Sequence, residues 1–168
     1  AYSFVYVNVK DKMQLAHLPA KPLSPLDYPF PDLPAGGSSK QVGAGVFWVR
    51  MPLPFALEHI NLWLLQDGTG WTVVDCGLGT DTTRILWEQI IAGSLDCRPV
   101  RRLIVTHCHP DHIGLAAWLC EKFGLKPCMT YSEYVHAHAV YHGVGGTDHA
   151  ALHALHARHG LDGARLDA

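Results

Sequence analysis

The chain has 168 residues and a formal net charge of −2, with 48% hydrophobic and 17% charged residues. That length and balance fit one globular domain with a sizeable core and exclude a disordered or fibrous protein. With no basic excess there is no field to hold a phosphate backbone, so a small-molecule substrate is expected rather than nucleic acid. No run approaches the roughly 18 apolar residues of a membrane span, so no membrane role is expected either. The five cysteines are odd in number and form no CxxC pair. They read as reduced thiols, which implies a cytoplasmic location. Twelve histidines are the one oddity of composition. Three fall within residues 107–112 and most of the rest between 136 and 159.

Along the chain, Pro19, Pro22, Pro25, Pro29, Pro31 and Pro34, followed by Gly36 and Gly37, forbid regular structure. Residues 1–40 are therefore expected to be an extended Pro-rich arm and 41–168 the folded domain; residues 1–18 show no motif. Val46–Met51 and Ile60–Leu65 are runs of strand length, and Gln66–Gly70 supplies turn chemistry before Trp71–Val74, which predicts a hairpin. After the Gly-rich turn Asp75–Gly79, Thr80 or Asp81 caps a helix carrying Ile85, Leu86, Gln89 and Ile90 as far as Gly93. Val100–Thr106 reads as a buried strand and Ile113–Phe123 as a helix stopped by Gly124. A short strand over Pro127–Tyr131 follows, then a helix from Ser132 to about His142 and a last one from Thr147 or Asp148 to Gly160. A hairpin followed by β-α-β-α units predicts an α/β domain with a mixed sheet.

The segment Thr106-His107-Cys108-His109-Pro110-Asp111-His112 holds four potential ligands within six residues, between a buried strand and a helix start. Alternation in an extended loop sends His107 and His109 to one side and Cys108 to the other, so Cys108 reads as a packing residue. Pro110 suits a first helical turn, from which Asp111 and His112 project. Neutral imidazoles with a carboxylate bind zinc, iron or manganese, and zinc is favoured where histidine dominates. The plain alternative is a solvated polar loop, but grouped histidines beside a carboxylate call for a compensating charge, which a metal supplies.

His107-x-His109-x-Asp111-His112 after a hydrophobic strand resembles the HxHxDH signature of the metallo-β-lactamase superfamily, and Thr106 and Gly114 fit its flanks. Asp75-Cys76-Gly77 resembles that family's Asp-Thr-Gly turn, with Cys76 in place of Thr, and Asn61 fits its second-strand pattern. The resemblance implies an αββα sandwich, of which this chain would supply the N-terminal half. It implies that His107 and His109 ligate a first metal, that Asp111 and His112 ligate a second, and that Asp111 is thereby catalytic. Asp75 would support a ligating imidazole from behind; its alternative is a plain turn residue. Two zinc ions per complete site are expected, with iron or manganese as substitutes. The remaining ligands would come from a later αβ half beyond Ala168, so the isolated chain is a candidate for an inactive fragment.

The local sequence looks closest to glyoxalase-II-like hydrolases. The implied function is hydrolysis of small esters, thioesters or lactones by a hydroxide held between two metals. The alternatives are an iron-dependent dioxygenase of the same fold, and a non-catalytic module that self-associates to cover an exposed half-sandwich. His149, His153 and His156 share a helical face, and His136 and His138 precede them. They read as solvated residues opposite Leu152 and Leu155 rather than ligands. His59 reads as a strand-end residue, Trp48, Trp63 and Trp71 as core, and the apolar segment 51–57 as a loop lining the mouth of the site or packing on the later half.

Overall fold

A computed structural model describes residues 29–163. Contacts divide the chain into residues 1–31 and 32–168, and all elements below belong to the second unit. Most of the expected Pro-rich arm lies outside the described residues. Six strands, β1 (Ser39–Gly43), β2 (Val46–Pro52), β3 (His59–Asp67), β4 (Gly70–Val74), β5 (Val100–Ile104) and β6 (Pro127–Cys128), form one sheet in chain order. The first four are antiparallel, whereas β4, β5 and β6 run parallel. Short turns suffice for the former; the latter need crossovers. These are α1 (Asp81–Gly93) between β4 and β5, and α2 (Pro110–Ile113) with α3 (Ala116–Phe123) between β5 and β6. The result is the expected α/β domain with a mixed sheet.

One sheet face is the core. Val49, Met51, Ile60, Leu62, Leu64, Trp71 and Val73 alternate onto it and are joined by Trp87 and Ile90 of α1 and Leu119 of α3. Trp48 and Trp63, paired across β2 and β3, project from the opposite face, where the Trp48 indole N–H donates to Asn61 Oδ1 at 2.8 Å. Of the three tryptophans expected in the core, only Trp71 is there, because strand alternation sends its neighbours outward. Trp87 takes the other large core position, and its indole N–H donates to the Cys76 carbonyl at 2.8 Å. That bond, with the Thr80 cap on Thr83 N–H, turns Thr83, Trp87 and Ile90 inward and leaves Ile85 exposed.

Several boundaries move for local reasons. β1, which spans the expected boundary at residue 40, adds a strand that the sequence pattern did not mark. The helix expected over 113–123 is broken at Gly114 and Leu115 because the Gly77–Gly79 turn crosses there; a Cβ on Gly114 would meet the Gly77 carbonyl at 2.8 Å. β6 is cut to two residues because Thr130, not Ser132, caps α4 (Tyr131–Tyr141), accepting from Glu133 N–H at 3.3 Å. A 3-10 turn (Val144–Gly146) leads to α5 (His149–Arg158), capped by Asp148. Neither α4 nor α5 buries a residue, and Leu152 and Leu155, expected to form an apolar face, are exposed. Among the described residues no helix is long and apolar enough to cross a membrane.

Trp87→Ala removes a fully buried indole and leaves the Cys76 carbonyl unpaired. It is expected to lower the unfolding free energy by about 3–5 kcal/mol, and Trp87→Phe by about 1–3 kcal/mol. Urea titration followed by circular dichroism checks the order.

Candidate metal centre

β4 and β5 are parallel neighbours with Val74 opposite Ile104, so the residues following each strand emerge at the same sheet edge. Carboxyl ends of parallel strands are where ligands gather in such sheets. Asp75 follows β4 and donates its own N–H to the Ile104 carbonyl at 2.8 Å. It holds a left-handed conformation, φ 60°, which Asp adopts more readily than most residues. The left-handed turn continues at Gly77 and brings the chain under α2. There the Cys76 N–H and thiol both meet the His112 carbonyl, at 2.9 and 3.0 Å. Burial pushes the Cys76 thiol up to about 12, and its carbonyl contact adds a further reason to regard it as packing.

Asp75 is 4% exposed, and its carboxylate meets three donors. Oδ1 accepts the Thr106 N–H at 2.7 Å. Oδ2 accepts the Thr106 hydroxyl at 2.7 Å and His112 Nδ1–H at 2.8 Å. With its proton given to Asp75, Thr106 Oγ1 is left to accept from His107 Nδ1 at 3.0 Å. An ionised carboxylate only accepts, so these bonds place a proton on Nδ1 of both His107 and His112 and turn Nε2 of each toward the second member of its pair.

The candidate donors then fall into two pairs. His107 Nε2 lies 3.1 Å from His109 Nδ1, and His112 Nε2 lies 3.7 Å from Asp111 Oδ2. His107 and His112 rings approach with centroids 3.8 Å apart, so the pairs adjoin. Pro110 occupies the first turn of α2, and the His112 and Ile113 N–H groups both return to the His109 carbonyl, which fixes the step from loop to helix. Among the described residues no group of three His, Cys, Asp or Glu side chains is arranged to hold a metal ion. Each pair supplies two donors. The 3.1 Å nitrogen separation is close to the edge of a zinc tetrahedron, about 3.3 Å for bonds of about 2.0–2.1 Å. In donor chemistry and spacing, the residues fit part of a metal's coordination shell.

Cys108 turns away from the histidines and lines a groove of about 560 Å³ with Pro110, Ile113, Tyr134 and His138. Glu133 was not marked by the sequence reading. Its Oε2 accepts the Cys108 N–H at 2.8 Å. That bond, then the Cys108 thiol, His107 and His136, hold its carboxyl below the usual carboxylate range. A Thr130-x-x-Glu133 capping pattern was the available signal, although it points to the wrong partner. The later histidines stay on α4 and α5: His138 stacks on His142 at 6.0 Å and His149 on His153 at 6.3 Å. His59 opens β3, as expected of a strand-end residue.

The sequence profile of the metallo-beta-lactamase superfamily matches residues 56–165, and the chain belongs to that superfamily. It is similar to a beta-lactamase domain protein from Burkholderia ambifaria, at 49% identity and TM-score 0.69, over 82% of this chain and 40% of that one. The metallo-beta-lactamase family protein TTHA1429 from Thermus thermophilus aligns at 28% identity and TM-score 0.59, over 73% of this chain and 40% of that one. The probable metallo-hydrolase YqjP of Bacillus subtilis strain 168 is 34% identical over 71 residues, 42% of this chain and 22% of that protein. The chain thus spans well under half the length of these relatives, and the superfamily's fold is the α/β architecture described above.

In metal-free protein, Asp75→Ala orphans three donors and strains a left-handed position. It is expected to cost about 3 kcal/mol or more. Asp75→Asn keeps an acceptor and tolerates the conformation, so it is expected to cost less. Urea unfolding in the presence of a chelator measures both.

Proposed function

We propose that this chain carries half of a two-metal hydrolytic centre, with His107 and His109 holding one ion and Asp111 and His112 the other. The observation that carries the reading is the Asp75 network. It directs protons to the far nitrogens of His107 and His112 and leaves Nε2 of each facing the second member of its pair. A solvated loop has no need of such tautomer control. The names of similar proteins, a metallo-hydrolase among them, point the same way.

Zinc is the proposed metal, from the excess of imidazole over carboxylate, with iron or manganese as substitutes. When bound, such ions supply a water acidified toward neutral pH as nucleophile and positive charge for a developing oxyanion. The chain's own part is placement. Asp75 and Thr106 orient the imidazoles, Asp111 contributes the one carboxylate among the four donors, and the α2 turn sets its distance from His112. The proposed substrates are small esters, thioesters or lactones. Their carbonyl needs neither a basic surface nor a phosphate cradle, in keeping with a net charge of −2.

Elemental analysis of the purified chain tests the reading. Bound zinc is expected in the wild type and lost in His109→Ala, and Asp75→Asn is expected to weaken affinity by about 10–100-fold. Absence of metal from the wild type, or uptake indifferent to His109, would overturn the assignment. Iron in place of zinc would redirect the search toward oxygen chemistry.

A further inference from the structure

Thr130 and Glu133 have the spacing of a capping box, in which the Glu carboxylate turns back to the N–H of the capping residue. Half of the box forms: Thr130 Oγ1 accepts the Glu133 N–H at 3.3 Å. The carboxylate instead leaves its own helix and accepts the N–H of Cys108 at 2.8 Å, 25 residues away in sequence. Cys108 lies between His107 and His109. The backbone on either side is already held, Thr106 by Asp75 and His109 by the first turn of α2. Between these two anchors, Glu133 holds the Cys108 N–H.

The Cys108 thiol meets the same carboxylate, so both contacts fall on one residue. α4 buries none of its residues, and the groove of about 560 Å³ separates Ile113 and Ala117 from Tyr134, His138 and Tyr141. Little apolar packing exists there to replace the bond if it is lost. A carboxylate accepting a backbone N–H is a charge-assisted bond, stronger than a neutral one.

We infer that Glu133 is a positioning residue for the centre: by gripping the Cys108 N–H it sets the approach of His107 Nε2 to His109 Nδ1. The inference rests on the metal-centre reading above. α4 thereby becomes a part of the site that touches no donor directly, and whatever moves its first turn changes how well the first ion is held.

The test compares wild type, Glu133→Ala, Glu133→Gln and His109→Ala in two measurements: zinc affinity by competition with a chromogenic chelator, and exchange of the Cys108 amide by NMR in metal-free protein. Glu133→Ala is expected to speed Cys108 exchange and to weaken zinc about tenfold or more, at the lower end of what supporting residues contribute. Glu133→Gln retains a carbonyl acceptor and is expected to recover most of both, which loss of α4 stability alone would not produce. Wild-type zinc affinity and wild-type exchange in Glu133→Ala would overturn the inference while leaving the metal reading intact. Failure of the wild type to bind zinc, with Cys108 protected and released by Glu133→Ala, would overturn the metal reading and leave the tether standing as a structural link only.

Discussion

The carboxylate of Asp75 is the constraint on which the rest of the site depends. It sits almost wholly buried at the end of β4 with three donors on two oxygens. A buried carboxylate without partners is strongly unfavourable, so its neighbours must be donors. The Thr106 main chain, the Thr106 hydroxyl and His112 fill that role, and the last two pass the constraint on. Thr106 becomes an acceptor toward His107, and His112 presents the nitrogen opposite its hydrogen bond. One carboxylate thus orients, directly or through Thr106, two imidazoles that belong to different pairs.

That charge reaches its partners through backbone pairing. The parallel register of β4 and β5 places residues 75 and 106 side by side, although 31 positions separate them in sequence. The glycines complete the arrangement. Gly77 takes a positive φ, and the lack of a Cβ on Gly114 lets the 77–79 turn pass under the start of α3. The same crossing delivers the Cys76 N–H and thiol to the His112 carbonyl. The turn after β4 and the helix after the histidine loop are therefore one packed unit, and the break between α2 and α3 is a consequence of that packing.

The two faces of the sheet have different fates. The inner face is covered by α1 and α3 and holds the core. The outer face carries Trp48, Trp63, Arg50 and Asn61, partly exposed and tied by the Trp48–Asn61 bond. α4 and α5 likewise expose Tyr131, Tyr141, Leu152 and Leu155. The chain spans 40% of each of two solved relatives. Such surfaces are where additional structure or a partner would bury apolar area.

Much of this was legible in the sequence, because the signals were local. Strand runs from Val46 to Val74, the caps at Thr80 and Asp148, the stop at Gly124 and the grouping of His107, His109, Asp111 and His112 each depend on neighbours a few residues away. Periodicity and capping report such neighbours directly. Which tryptophans enter the core was not legible: Trp63 and Trp71 lie on equally apolar runs, and only the sheet register tells their faces apart. Glu133 was hidden for a related reason. Its local pattern satisfies a capping box, while its actual partner is set by where α4 meets the loop. By itself the sequence determined most element types, the grouping of the candidate donors and the family to which the chain belongs, since these follow from residue chemistry at short spacing. Tertiary structure alone decided the hydrogen bonds of Asp75 to Thr106 and His112, the approach of the candidate donors in pairs and the reach of Glu133 to Cys108, because each is a contact between strand ends and helix starts that only the sheet brings together.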